Sequence, residues 1–412
     1  MKSTVLVIGY VFPEPNSTAA GSRMLQLINF FMDQNYKVVF ATSSKATERA
    51  FNLESINIEV VEILLNDASF DVFIKELNPN IVIFDRFMTE EQFGWRVADC
   101  CPAALRILDT EDLHFLRTTR QKALNSNTIG ANDYASNSIV KREIASIYRS
   151  DLSLIISESE LSILMDDFKI DSSLLMYLPF MLDSNNLLDK QSFKPYSEKK
   201  DFVSIGNFLH PPNLDAVHYM KTSIWPLIKS SLPETKLHIY GAYASPAVRA
   251  MHNAKEGFLV HGYVADAFEA IAAAKVMLAP LRFGAGLKGK LIQSMQCGTP
   301  CAMSTIASEG LFAALEPNGV IENEISLFVA KSIELYTQEP LWNTSRVNGS
   351  LVLKKRFNKE EHYSKFTEKL LLLQSQIKLH RSTNFIGQML AHHQFQSTKY
   401  MSRWIEAKNA NN

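Results

Sequence analysis

The sequence predicts an α/β protein made of two doubly wound parallel-sheet domains, whose strand-ending loops could face each other across a cleft. Three observations lead there. At 412 residues the chain exceeds the roughly 250–300 residues at which one hydrophobic core stops growing. Short β-branched runs alternate with helix-period stretches in each half, the pattern of parallel strands covered on both faces. Between the two sets, over 183–200, periodicity gives way to a polar stretch containing Pro195, which reads as an interdomain linker.

The elements follow in order. Thr4–Gly9 is a short β-branched run, followed by the loop "YVFPEPNSTAAGS" and a helix over Arg23–Gln34 with Met24, Leu27, Ile28 and Phe31 on one face. Next come the strand "KVVFATS", the run "IEVVEILL", a helix over Ser69–Leu77, the strand Ile81–Asp85, another helix and the strand "LRILDTED". Thr118–Arg149 reads as helical and polar, and "LSLIIS" and the helix opening "ESELSILM" complete the first half. The second set starts at Phe202–Phe208. A helix is expected over Leu214–Ile228 with Asn213 as N-cap after two prolines. "KLHIYGA", a helix near Pro246–Asn253, "FLVHGYV", "ADAFEAIAAA", "VMLAPL" and "PCAMST" follow, and beyond Phe357 the chain reads as nearly all helical. Ligands of such sheets bind beyond the carboxyl ends of the strands, which directs attention to the loops after Gly9, Asp85 and Asp109.

Composition narrows the function classes. Hydrophobic residues make up 46% and charged residues 21%, and the formal net charge is −1, so no global field attracts nucleic acid or an anionic membrane. Any anion site must be built locally. The four cysteines form an adjacent pair, Cys100 and Cys101, and a helix-spaced pair, Cys297 and Cys301. Without a C-x-x-C they read as reduced core residues. The start "MKSTVLVIGYVFPEPN" reads as a buried strand, because Pro13 and Pro15 interrupt it at once. No run reaches the ~18 apolar residues of a membrane span, and a cytoplasmic protein is the simplest expectation.

One turn stands out. "APLRFGAGLKGKLIQSMQCGTP", Ala279–Pro300, sets Gly284, Gly286 and Gly289 among Arg282, Lys288 and Lys290 between a strand and a helix. Small residues let a ligand approach the backbone, and amides at a helix start with cations nearby favour an anion. The turn reads as a phosphate site.

In context these residues define a resemblance. Phe202–Leu311, through "FVSIGNFLHPPNLDAV", "IWPLI", "KLHIYGA", "VHGYVAD", "AAAKVMLAPLRFGAGLKGKLIQSMQCGTP" and "ASEGL", resembles the nucleotide-binding half of the retaining glycosyltransferase family 4 (glycosyl transferases group 1), of GT-B fold. A weaker likeness runs through "PEPNSTAAGSRMLQLI", "LDTEDLHFLR" and "RSDLSLIISESE". The resemblance implies an acceptor-side Rossmann-like domain over 1–182, a linker over 183–200, a nucleotide-sugar-binding Rossmann-like domain over 201–357, and helices over 358–412 packing back on the first. It implies sugar transfer from a nucleoside-diphosphate sugar to a glycan or lipid-linked acceptor, with no cofactor beyond the donor and no nucleic-acid partner. No metal ligand is expected, since the chain has no D-x-D. Arg282 and Lys288 would neutralise the diphosphate. Gly284, Gly286 and Leu287 would admit it, Gln293 would position ribose, and Gly21, Gly206, Asn207 and Glu309 would complete the donor site. Asp112 and His114 would orient sugar or acceptor. Lys290, on the first helical turn, could as easily face solvent.

Two departures shape the alternatives. The family's acidic pair E-x7-E falls on Ala285 and Gln293, and the cations that relatives carry after the first strand of this domain are absent from "SIGNFLHPPN". Gln293 keeps an acceptor but loses a charge-assisted bond. A catalytically weakened GT-B nucleotide-binding or scaffold protein is therefore the second reading, and a sugar-nucleotide epimerase the third. Bland readings stand beside the rest. Asp112, His114 and Arg117 could be a helix-capping cluster, Asp109 could only cap, and Asp85 could be a plain strand-end residue. Gly21 and Ser22 could only turn into a helix, and Glu309 could lie on a surface loop. "SESE", Ser157–Glu160, reads as a structural helix start with a capping serine. The tail with Phe395, Tyr400, Met401 and Trp404 reads as a final helix docking on the first domain, with a basic helix on the inner membrane face as its rival.

Overall fold

The computed structural model describes residues 2–126, 134, 137–183 and 193–410, without the side chains of 393–396 and 410. Residues 184–192 of the expected linker, and the Phe395 side chain, lie outside this set. The first half holds β1 (Thr4–Gly9), β2 (Lys37–Thr42), β3 (Glu59–Glu62), β4 (Ile81–Asp85), β5 (Leu105–Asp109), β6 (Leu152–Ile155) and β7 (Leu175–Tyr177). They form a seven-stranded sheet in the order β3-β2-β1-β4-β5-β6-β7. The second half holds β8 (Lys200–Ile205), β9 (Leu237–Tyr240), β10 (Phe258–Gly262), β11 (Ala274–Ala279), β12 (Cys301–Met303) and β13 (Gly319–Ile321), ordered β10-β9-β8-β11-β12-β13. Every pairing is parallel.

Val5, Leu6, Val7 and Ile8 are all inaccessible to solvent, as central parallel strands covered on both faces require. In each sheet the order reverses beside the first strand, between β1 and β4 and between β8 and β11. Crevices open at such reversals, outside the carboxyl ends of the strands.

The C-terminal helices do cross back. Phe366, Leu370 and Leu373 of helix Lys359–Thr383 join the apolar cluster of β1, β4 and β5. The Phe30 and Phe366 rings stack with centroids 4.5 Å apart. Helix Ala19–Asp33 therefore buries Phe30 as well as the expected Met24, Leu27, Ile28 and Phe31, because a second partner covers that side. The two passages between the halves run together: Leu182 donates its amide to Phe357 O at 2.7 Å, and Lys359 donates to Leu182 O at 2.9 Å. Helix Phe385–Ala410 docks on the first half through Arg96, which binds Ser402 Oγ at 2.9 Å and pairs with Glu406. No helix among the described residues is long and apolar enough to cross a membrane.

Several local expectations change. The helix expected at Leu214 begins at Pro211, with His210 rather than Asn213 at the N-cap. Pro211 and Pro212 occupy the first turn, where their missing amides have no intrahelical partner to lose. The polar stretch Thr118–Arg149 is not one helix but belongs to two, His114–Ser126 and Ser138–Arg149. The strands β7 and β13 were not anticipated, being three residues long and too short to show a period. Ser157 is the N-cap residue of helix Glu158–Ser162 but makes no side-chain cap bond.

Candidate functional site

The glycine-lysine turn leaves β11 and enters helix Gly289–Gln296 at the mouth of the second sheet. Gly286 has φ 64°, and a Cβ there would lie 2.8 Å from Asp112 Cβ; one on Gly289 would lie 2.7 Å from Ala19 Cβ. Asp112 and Ala19 belong to the first half. These glycines thus admit the facing domain as well as any ligand. Ala285, where the resemblance places an acid, is buried in the apolar cluster that includes Leu113 and Phe115, at the border of the cavity. An unpaired carboxylate there would be expelled.

Three further contacts close the halves on each other. Glu160 Oε1 accepts the amides of Leu113 at 3.0 Å and Gly286 at 2.8 Å. Arg120 spans Glu309 with two bonds of 2.7 Å and reaches Gly284 O at 2.8 Å. Glu14 accepts the Tyr243 hydroxyl at 2.9 Å, while Arg49 lies 4.7 and 4.9 Å from the Tyr243 and Tyr263 ring centres. Between these contacts lies a cavity of about 870 Å³ lined from both halves.

Lys288 is buried, with Nζ donating to Ala285 O at 3.0 Å and Gly286 O at 2.6 Å. Burial pulls its pKa down to about 8 against the pull of Glu309 and Glu160. Lys290 reaches Asn213 Oδ1 at 2.6 Å, and Asn213 in turn donates to Asn207 O at 2.9 Å. Burial and then Lys288 bring Lys290 down to about 7. Both lysines line the cavity, and neither makes an ion pair among the described residues. Asn213, expected to cap a helix, instead holds the second lysine in place.

On the facing wall, Asp112 pairs with Arg117 and lies 3.3 Å from His114 Nε2. Burial opposes its charge, yet Arg117, His114 and His210 hold the carboxyl below the usual range. Burial lowers His114 and His210 to about 4 each, against the attraction of Asp112, so both rings are neutral at pH 7. The start of the His114 helix is capped by Glu143, whose carboxylate oxygens accept the amides of His114 at 3.0 Å and Phe115 at 2.9 Å. Capping therefore falls to neither Asp109 nor Asp112. Asp109 is instead gripped by the buried Arg23, with Nε and a terminal nitrogen 2.9 and 2.7 Å from its Oδ1.

Asp112, His114, Lys288, Gly206, Asn207, Gly284, Gly286, Leu287 and Gln293 all line the cavity, and so do Ser22 and Lys290. Arg282, Gly21 and Glu309 are not among its lining residues. The Arg282 guanidinium binds Asp215 (Nε to Oδ2 2.9 Å) and lies 4.8 Å from the Tyr219 ring centre. A carboxylate nearer than the cleft takes up its charge, so Lys290 rather than Arg282 accompanies Lys288. Gly21 is required by packing, since a Cβ there would meet the Glu14 backbone at 2.4 Å. Glu309 acts through Arg120.

Glu160, Arg120, Arg86, Glu111 and Tyr10 were not singled out as site residues by the sequence. "SESE" carried a signal only for a helix start, and the partners of Glu160 lie far away in the chain. Arg86 and Glu111 sit one and two residues beyond strand ends, and that position is the one clue that could have found them.

Two Rossmann-like parallel sheets facing across a cavity, with helices returning to the first, define a GT-B fold. Residues 199–338 match the family model described as glycosyl transferases group 1. No curated protein matches the chain. Among solved structures, a sucrose-phosphate synthase from Thermosynechococcus elongatus superposes with TM-score 0.68 at 13% identity, over 91% of this chain and all of that one (100%). A variant of S. aureus TarM in complex with fondaparinux, alpha-GlcNAc-glycerol and UDP gives 0.67 at 10% identity, over 91% and 100%. HepE from Anabaena in complex with UDP and glucose gives 0.63 at 12% identity, over 89% and 98%.

Proposed function

We propose that the protein is a glycosyltransferase that binds a nucleoside-diphosphate sugar between its halves and transfers the sugar to a glycan or lipid-linked acceptor. One observation carries this reading: the buried Lys288 and the half-buried Lys290 stand beside each other, lining a cavity, without a carboxylate in contact. Buried charges are normally paired. Two adjacent cations at a helix start suit the diphosphate of a donor, and a cavity of about 870 Å³ has the volume of a small-molecule site. The match of residues 199–338 supports the reading. So do similar structures whose descriptions name UDP with a sugar, HepE among them.

In this reading Lys288, Lys290 and the amides of the Gly289 helix stabilise the charge that grows on the leaving diphosphate. The acceptor oxygen bonds to the anomeric carbon as that carbon's bond to the phosphate oxygen breaks, and the electron pair leaves with the diphosphate. On the front-face, retaining route the departing phosphate oxygen takes the acceptor proton. The lysines supply the charge that a divalent metal supplies in other transferases, so the reading includes no metal and no cofactor beyond the donor. Gln293, which lines the cavity, positions ribose in this reading, and neutral His114 beside Asp112 can hydrogen-bond sugar hydroxyls. The interdomain contacts exclude water and limit donor hydrolysis.

A second reading, a nucleotide-binding scaffold with weakened catalysis, draws on Ala285, which packs as core where the resemblance places an acid. Calorimetric titration with UDP, GDP and dTDP, followed by turnover assays with the corresponding sugars and cell-extract acceptors, separates the two. Binding with turnover supports the transferase and binding without turnover the scaffold. Failure of all three nucleotides to bind removes both.

A further inference from the structure

We propose that the ends of β4 and β5 form an acceptor subsite in which Glu111 and Arg86, beside the Tyr10 ring, hold a hydroxyl group of a neutral polyol such as a sugar. The inference rests on the glycosyl-transfer reading and adds the wall and the charge class of the acceptor.

The backbone gives the first argument. Arg86 has φ 71° and Glu111 φ 64°, the left-handed region that strains a residue with a Cβ. Glycine would occupy either position without strain. Instead the chain places a guanidinium and a carboxyl at these two strand-end loops, and both side chains line the cavity.

Unspent hydrogen-bonding capacity gives the second. The half-buried Glu111 carboxyl makes no hydrogen bond among the described residues. Behind it, Asp85 is only 3% exposed. Its Oδ2 accepts the Tyr10 amide at 2.9 Å, while Oδ1 has no hydrogen bond and only Arg86 Nε at 3.5 Å. Asp85 Oδ1 is sealed from the cavity, so it is the Glu111 carboxyl, at the cavity wall, that lacks a partner serving as donor and acceptor. A hydroxyl is both. Tyr10, 41% exposed and with its ring centre 5.3 Å from the Arg86 guanidinium, offers an apolar face beside it.

Charge decides the class. Arg86 feels Asp85, Glu111, Asp112 and Asp109, and Arg23 and Arg117 are already committed to Asp109 and Asp112. Each cation of this corner already has a carboxylate partner, Arg86 with Asp85 at 3.5 Å, Arg23 with Asp109 and Arg117 with Asp112, so an anionic group placed here finds no unpaired cation, unlike at the lysine wall opposite. Burial and then Asp109 push Glu111 up to about 8, which leaves it protonated at neutral pH and able both to donate to and to accept from a hydroxyl.

The test uses the full chain with whichever of UDP-, GDP- or dTDP-glucose the wild type hydrolyses, and free glucose and glucose 6-phosphate as occupants. Glucose is expected to divert or suppress hydrolysis saturably, with glucose 6-phosphate at least about tenfold weaker. Glu111→Ala should raise the glucose concentration giving half-effect about tenfold, the scale of a lost hydrogen bond, with the nucleoside diphosphate Kd unchanged. Glu111→Gln, which keeps a donor and an acceptor, should stay within about threefold of wild type. No glucose effect on the wild type, equal action by glucose 6-phosphate, or a Glu111→Ala response like wild type overturns the subsite. The wild-type arms decide even if the alanine variant fails to fold. If the wild type binds no nucleoside diphosphate, the donor reading is what has failed.

Discussion

Glu160 and Gly286 tie the two halves together: one carboxylate oxygen of Glu160 takes the Gly286 amide at 2.8 Å and the Leu113 amide at 3.0 Å. A single side chain thus fixes the glycine-lysine turn against the loop that carries Asp112 and His114. Closure and site assembly are one event at this atom.

The pH response of that tie can be predicted. Burial, followed by Asp112, raises Glu160 to about 7. An acid raised on folding binds more protons in the native state, so its contribution to stability is present below about pH 4.5 and is lost as pH rises through about 7. The Glu160→Gln variant keeps an acceptor and loses the titration. Its melting temperature should therefore fall less than that of the wild type between about pH 4.5 and 7. Parallel melting curves across that range would refute the coupling.

Lys288 and Arg282 should separate cleanly. Removing Lys288, which lines the cavity, should weaken nucleoside diphosphate binding about 10- to 100-fold, the scale of a lost charge-assisted bond. Removing Arg282, which is held by Asp215 outside the cavity, should change it less than about twofold. Calorimetry on Lys288→Ala and Arg282→Ala reads both. The opposite order would return the diphosphate to Arg282.

Nucleotide binding should take up protons. Lys288 and Lys290 have been brought down to about 8 and 7, and an anion beside them favours their charged forms. Affinity should therefore fall as pH rises from about 7 to 9, and binding at pH 8 should absorb protons. Titrations in buffers of different ionisation enthalpy measure this directly, and proton release would contradict it.

The buried pair Arg23–Asp109, with side chains 1% and 0% exposed, is a matter of stability. Asp109→Ala leaves the guanidinium with Leu178 O at 2.6 Å as its main partner and should cost about 3–5 kcal/mol in urea unfolding. A loss below about 1 kcal/mol would mean that water or relaxation replaces the carboxylate.

Much of this was legible in the chain because it is local. Alternating runs of strand and helix residues give the two sheets, and residue type and spacing alone direct attention to the turn of Gly284, Gly286 and Lys288, which lines the cavity. What was not legible depends on partners distant in sequence. Arg282 is claimed by Asp215, 67 residues away, and Glu160 by Gly286, 126 residues away. Lys290, on the first helical turn, could have faced solvent or cleft from its sequence alone, and Asn213, 77 residues away, decides between them.

The sequence by itself determined two parallel α/β halves and a cationic glycine turn at a strand end, because hydrophobic period and backbone freedom are properties of neighbouring residues. Only the tertiary structure decided which cation faces the cleft, which carboxyl latches the halves, and which strand-end residues accept a left-handed backbone to reach the cavity. Those choices depend on burial and on charge pairing across space, and both exist only once the two halves have closed on each other.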